Sequence, residues 1–214
     1  MYLSFCYGKI KWYLRKGVTA VEKLGRDFFD RDTVEVARDL LGKILVRRVD
    51  GMILSGRITE TEAYVGRMDK ACHAYGYKRT ARTETLFAPP GTAYIYLIYG
   101  IYHCLNFVTE REGEPSAVLL RGLEPVDGAA EMARRRFGKE PEQLTSYQKK
   151  NFLNGPGKVC LALGLTKAQN GLDLTGEELF LLDDGSPRPA FRTGTRIGID
   201  YAEEAVHFPW RFYL

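Results

Sequence analysis

Apolar positions in this chain change period several times, and each change marks an element. Val34, Ala37, Leu40 and Leu41 recur at helical spacing, Asp32 or Asp30 stands where an N-cap belongs, and Gly42 closes the run. A helix is therefore expected over 32–41. The next stretch switches to strand character: KILVRR at 43–48, a turn at Asp50-Gly51, then a long strand over 52–65. Strands are expected near 92–99, 103–109 and 116–121, with a tight turn at Glu112-Gly113. Asp127 is placed to cap a helix over 128–137, a further helix is expected near 141–150, and another over 157–163 is stopped by Gly164. The rest reads as short strands and turns: 178–183, Asp184-Gly185, 190–199 and 206–213. Strands in runs and helices in separate runs predict an α+β fold, a curved and mostly antiparallel sheet with flanking helices, rather than a doubly wound one.

Nothing Pro-, Gly- or Ser-rich divides the 214 residues, so a single domain is expected over 26–214. Residues 1–25 read as an arm of unassigned role. The first twenty are basic and aromatic, without the uninterrupted apolar core or cleavage site of a secretion signal. No apolar run has the length of a membrane span, so no membrane partner is expected. The net charge of +4 permits a polyanionic partner. Cys6, Cys72, Cys104 and Cys160 are scattered without a CxxC pair. They read as free, mostly buried thiols in a reducing cytoplasm. Cys72-His73 and His103-Cys104 are adjacent pairs whose side chains would point to opposite faces of a strand, so no metal is expected.

The stretch PPGTAYIYLIYGIYHCLN at 89–106 puts Tyr94, Tyr96, Tyr99 and Tyr102 around Gly100. Such rings either pack a half-buried strand or stack on a nucleobase. Upstream, TETEAY at 59–64 lies on the long strand, where alternation puts Glu60, Glu62 and Tyr64 on one face. Two carboxylates are ill-suited to an apolar core, so that face is either solvated or lines a polar cleft. A cleft walled by Tyr64 and Tyr96 would hold a planar ring, with His73 as a third wall and a carboxylate placed to activate a water. Arg121, ending the apolar run AVLLR, either snorkels to solvent or keeps Glu62 ionised. Asn106, set between Leu105 and Phe107, needs hydrogen-bond partners. The NGPGK segment at 154–158 opens a helix without P-loop spacing. With Lys78, Arg79, Arg82, Lys149 and Lys150, Lys158 forms either a phosphate-tracking surface or a solvated face.

At these residues the chain resembles the alkyladenine (3-methyladenine) DNA glycosylase family. ETEAY at 60–64, Cys72-His73, the 89–106 stretch, LLRGLEP at 119–125, NGPGK, RIG at 196–198 and PWRFY at 209–213 occur in order. The resemblance implies a monofunctional, cofactor-free enzyme that flips damaged purines out of double-stranded DNA and hydrolyses the N-glycosidic bond. It implies Glu62 as the residue that deprotonates the attacking water, with Arg121 and the main-chain carbonyl of Ile197 helping to hold that water. Tyr64 is implied as one wall of the base pocket, with His73 and Tyr96 opposite. Tyr99 would wedge into the duplex, and Asn106 would exclude guanine by clashing with its 2-amino group. A monomer working in the cytoplasm, on nucleoid DNA in a bacterium, is expected. Ala81 and Thr83 stand where the family more often shows proline and asparagine. Tyr94 and Tyr102 receive no role beyond packing. Two other classes remain on the residues alone: a non-enzymatic nucleic-acid binding module, and a small-molecule hydrolase with an aromatic pocket.

Overall fold

The computed structural model describes residues 21–214, so the first twenty residues of the expected arm lie outside the described residues. The strands are β1 (Glu22–Lys23), β2 (Ile44–Val49), β3 (Met52–Val65), β4 (Ala93–Ile98), β5 (Tyr102–Thr109), β6 (Ser116–Asp127), β7 (Leu179–Asp183), β8 (Arg192–Gly194) and β9 (Arg211–Tyr213). The helices are α1 (Arg26–Phe29), α2 (Thr33–Asp39), α3 (Ala129–Phe137), α4 (Ser146–Lys150) and α5 (Pro156–Leu163). The strands form one open sheet in the order β1-β7-β2-β3-β6-β5-β4, with β9 joining β3 and β8 joining β9. Every pairing is antiparallel. The α+β reading holds.

Local chemistry explains most boundaries. Asp32 caps α2, its Oδ1 accepting the N–H groups of Val34 at 2.9 Å and Glu35 at 3.0 Å. At the other end of the fold, α5 opens with Pro156 in its first turn and stops at Gly164 in left-handed geometry. Four expectations need correction. The strand expected over 116–121 continues to Asp127, so Asp127 ends β6 and Gly128, at φ 77°, takes the N-cap of α3. The helix expected near 141–150 divides into a 3₁₀ turn, Pro141–Gln143, and α4, because Thr145 makes a fresh capping box with Gln148. Of 190–199 only β8 is strand, and of 206–213 only β9; Glu203–His207 is a 3₁₀ turn. The short helix α1 has no counterpart in the expected pattern.

The two faces of the sheet have different tasks. Leu54 and Ile58 of β3 enter the main core, but further along the strand it is Ala63 that does so. The inward face passes from even to odd positions because the pairing with β6 shifts around Thr59 and Arg121: Ile58 faces Leu123, Glu60 faces Gly122, and Thr61 faces Leu120. The partner strand makes the same switch, with Val118 and Leu120 in the core on one side of Arg121 and Leu123 on the other. Gly122 permits the close approach, since a Cβ there would lie 2.7 Å from Thr59 Oγ1 and 3.1 Å from Glu60 Cβ. Thr61 points to the helical layer and donates to the Ala37 carbonyl of α2 at 2.7 Å. Glu60, Glu62, Tyr64 and Arg121 are thereby turned to the opposite face.

Candidate active site

That opposite face floors a cavity of about 420 Å³. The alternation of β4 brings Tyr94, Tyr96 and Ile98 to it, β5 brings Cys104 and Asn106, and β6 brings Leu119 and Arg121. Two segments close the sides. The 66–88 loop packs Cys72, Ala74, Leu86 and Phe87 against Tyr94, Tyr64 and Tyr96. The segment after β8 contributes Ile197, Gly198 and Ile199.

Glu62 lies behind three of the lining residues, Tyr64, Arg121 and Ile197, its side chain wholly buried. Tyr64 donates its hydroxyl hydrogen to Oε2 at 2.7 Å, and the Ile197 N–H donates to Oε1 at 2.9 Å. Arg121 Nε stands 3.4 Å from Oε1. It is closer to Glu60, donating to Oε1 at 3.1 Å, and Arg211 Nε donates to the same oxygen at 2.6 Å. Two carboxylates thus share Arg121, and Arg211 supplies the second positive charge. Burial raises the pKa of Glu62, while Arg121, the Tyr64 hydroxyl and the Ile197 amide pull it back without fully offsetting that rise. The result is a carboxylate more basic than an exposed glutamate.

Tyr64, Tyr96 and His73 all line this cavity. The His73 ring meets Tyr96 edge-on at 4.6 Å, and Tyr96 lies 5.4 Å from Tyr94. Burial, and then the charge of Arg82, lowers the pKa of His73 to about 4, so the ring is neutral at pH 7. Asn106 is buried, its Nδ2 donating to the Tyr94 carbonyl at 3.1 Å and the Cys104 carbonyl at 3.4 Å. Tyr99 sits at the cavity rim on the β4–β5 turn, 81% exposed, at φ 53° beside Gly100 at φ 71°. Left-handed backbone at both positions matches the tight turn of a twisted hairpin and drives the ring outward.

Three placements were not foreseen. Ile197 donates its amide N–H to Glu62, a contact separate from the water-holding role expected of its carbonyl. Tyr94, expected only to pack, lines the cavity and shares a 3.0 Å hydrogen bond with His73 Nδ1. Its spacing of two from Tyr96 was the available signal. Arg82 lies with its guanidinium carbon 5.3 Å from the Tyr96 ring centroid, and its charge partly offsets the rise that burial gives the Tyr94 hydroxyl pKa. The other basic candidates are scattered. Lys78 is exposed, Arg79 grips Glu84 through Nε at 2.9 Å and Nη2 at 2.6 Å, and Lys158 Nζ is held by Asn154 Oδ1 at 2.7 Å and Asn151 Oδ1 at 3.1 Å. Cys72, Cys104 and Cys160 are free and buried. Among the described residues no three His, Cys, Asp or Glu side chains converge as a metal site, and no helix is long and apolar enough to cross a membrane.

The cavity is aromatic-walled, with a carboxylate buried behind its lining. The model of the family described as methylpurine-DNA glycosylase matches residues 27–214. A protein of Clostridium perfringens, provisionally named 3-methyladenine DNA glycosylase, is 55% identical over 195 residues, covering 90% of this chain and 95% of its own length. Proteins with the same provisional name from Alkaliphilus oremlandii and Bacillus cytotoxicus are 54% and 52% identical over 192 residues each, covering 90% and 87% of this chain and 95% and 93% of their own lengths. The chain belongs to the methylpurine-DNA glycosylase family. It is a DNA glycosylase, a hydrolase of N-glycosyl bonds in DNA repair, which sets aside the non-enzymatic binding module.

Proposed function

We propose that the chain extrudes damaged purines from duplex DNA and hydrolyses the bond from the base to C1′ of deoxyribose, leaving an abasic site. The observation that carries this reading is Glu62, buried directly behind the cavity lining, held by hydrogen bonds from Tyr64 and Ile197 and faced by Arg121. In the proposed step Glu62 takes a proton from a water as the water oxygen bonds to C1′. The C1′–N bond breaks, and its electron pair passes to the purine ring. A 3-methyladenine or 7-methylguanine base is cationic, so it leaves without prior protonation, and the electron-rich rings of Tyr64 and Tyr96 favour its charge. Hypoxanthine and ethenoadenine are proposed as further substrates. The carboxylate also stabilises the oxocarbenium-like sugar as the bond opens.

Extrusion costs a few kcal/mol, least for a poorly paired base. Tyr99 offsets part of this by filling the vacated stack. Asn106, pinned by two backbone carbonyls, presents a fixed polar edge that crowds the 2-amino group of guanine. Lys78, Arg79, Arg82 and Lys158 are proposed to meet phosphates, with Arg79 exchanging Glu84, and Arg82 exchanging Tyr96, for the backbone. The enzyme is proposed to act as a monomer, without cofactor, on the DNA of the cytoplasm.

Duplexes that each carry one lesion test this reading. Free base is expected by chromatography, with strand cleavage appearing only after alkali. No free base, or cleavage without alkali, would contradict it.

A further inference from the structure

The segment after β8 has no regular secondary structure through residues 195–199, yet it delivers the Ile197 amide to Glu62. Ile197 itself is half exposed, so its own side chain does not anchor it. The anchor is the preceding residue. Arg196 turns inward and forms a bidentate pair with Asp69, Nη1 to Oδ2 at 2.5 Å and Nη2 to Oδ1 at 2.8 Å, with both side chains wholly buried. Nη1 also donates at 2.8 Å to the carbonyl of Ala63, the residue between Glu62 and Tyr64. The Ala205 carbonyl accepts from Nη2 at 3.2 Å. The guanidinium carbon lies 4.7 Å over the Tyr64 ring and 5.2 Å from that of Trp210. Asp69 is tied in turn to the end of β3, accepting the Val65 N–H at 3.3 Å, and to the 66–88 loop through the Ala71 N–H at 3.0 Å.

A buried ion pair is a weak device for stability, because desolvating two charges consumes most of what their attraction returns. Its geometric effect is strong here, since bidentate pairing fixes both distance and plane. We infer that Arg196, through its pairing with Asp69, is a positioning residue that sets the Tyr64 wall and the Ile197 amide together around Glu62. It touches neither the cavity nor the reacting atoms. One guanidinium thereby couples the surface on which the base stacks to the hydrogen bond that orients the water-activating carboxylate. The inference rests on the proposed role of Glu62.

The readout is the acidic limb of the pH–rate profile. The charged and titratable groups facing Glu62 are Arg121 of β6, Glu60 and Tyr64 of its own strand, and the Cys104 thiol of β5, which burial pushes up to about 11. Arg211 of β9 acts through Glu60. Arg121, Glu60 and Cys104 are untouched by substitutions at Arg196 or Asp69, so a moved limb reports the two donors that Arg196 positions, the Tyr64 hydroxyl and the Ile197 amide. Single-turnover base release from a duplex carrying one 7-methylguanine is measured against pH for wild type, Arg196→Lys, Asp69→Asn and an amide-to-ester change that removes the Ile197 N–H.

The ester moves the limb to higher pH, with release on the limb falling about tenfold, as expected for one donor lost from a charged acceptor. Arg196→Lys and Asp69→Asn each move it the same way. Either variant suffices if the other fails to fold. A limb left in place by a folded Arg196→Lys or Asp69→Asn, whatever its melting temperature, would overturn the assignment. Glu62→Gln serves as the control. If it still releases base with the same limb, the role of Glu62 fails, and not merely that of Arg196.

Discussion

Tyr64 donates its hydroxyl hydrogen to Glu62 Oε2 at 2.7 Å, two residues away on the same face of β3. A residue lining the cavity is therefore hydrogen-bonded to the carboxylate buried behind it. Each side chain constrains the other, because the ring cannot tilt without releasing the carboxylate. Burial and the neighbouring Glu62 charge push the Tyr64 hydroxyl well above its ordinary pKa, so it stays a donor across the working range.

Tyr64→Phe separates the two functions of this residue. The ring and its stacking are kept, and one donor to the ionised carboxylate is lost. Affinity for a lesion duplex should stay within a few-fold of wild type, while release on the acidic limb falls about tenfold and the limb moves to higher pH. Gel-shift titration and single-turnover kinetics at several pH values check both halves.

Glu60→Gln should act in the opposite direction. Glu60 takes the shorter share of Arg121, 3.1 Å against 3.4 Å for Glu62, and its charge raises the pKa of Glu62. Without that charge, Arg121 is left to Glu62 alone and the acidic limb moves to lower pH. Base release at pH 5 should rise relative to release at pH 7, read from the same profile. An unmoved limb would count against the sharing of Arg121.

Tyr99→Ala should weaken extrusion rather than bond cleavage. The ring is 81% exposed on a turn that holds it away from the fold, so the substitution costs little stability. The fluorescence rise of a 2-aminopurine placed opposite the lesion should shrink. An equal rise in wild type and variant would remove the wedge role.

His73 links stability to pH. Its pKa is lowered from 6.5 to about 4, chiefly by burial. Between those values the unfolded chain binds a proton that the folded one does not. Stability from this group is therefore fully present above pH 6.5 and lost as pH falls through the window toward 4, amounting to about 2 kcal/mol by pH 4.5. Urea melts at pH 7 and pH 4.5 should show a larger drop for wild type than for His73→Gln, the difference isolating this residue from titrating carboxylates.

What the sequence disclosed followed periodicity and capping. The spacing of Val34, Ala37, Leu40 and Leu41, with Asp32 before them, yields α2, and the alternation TETEAY puts Glu62 and Tyr64 on one face. The switch of the core face at Thr59 and Arg121 was illegible, because a bulge is fixed by the partner strand as much as by its own residues. The same limit hid Arg196, whose partners Asp69, Ala63 and Ala205 come from three separate segments. Arg82 reads as a surface cation until the fold brings it over Tyr96. Around the cavity, strand positions were foreseen, while contacts made by the irregular segments at 66–88 and 195–199 depended on tertiary packing.

The central claim is that Glu62 activates the water. It is tested most directly by single-turnover release of 7-methylguanine from a duplex by Glu62→Gln, measured alongside binding of the same duplex. Glutamine keeps the shape of the side chain and removes its basicity. Release should fall by about 10²–10⁴-fold with binding retained. Release near the wild-type rate would contradict the account.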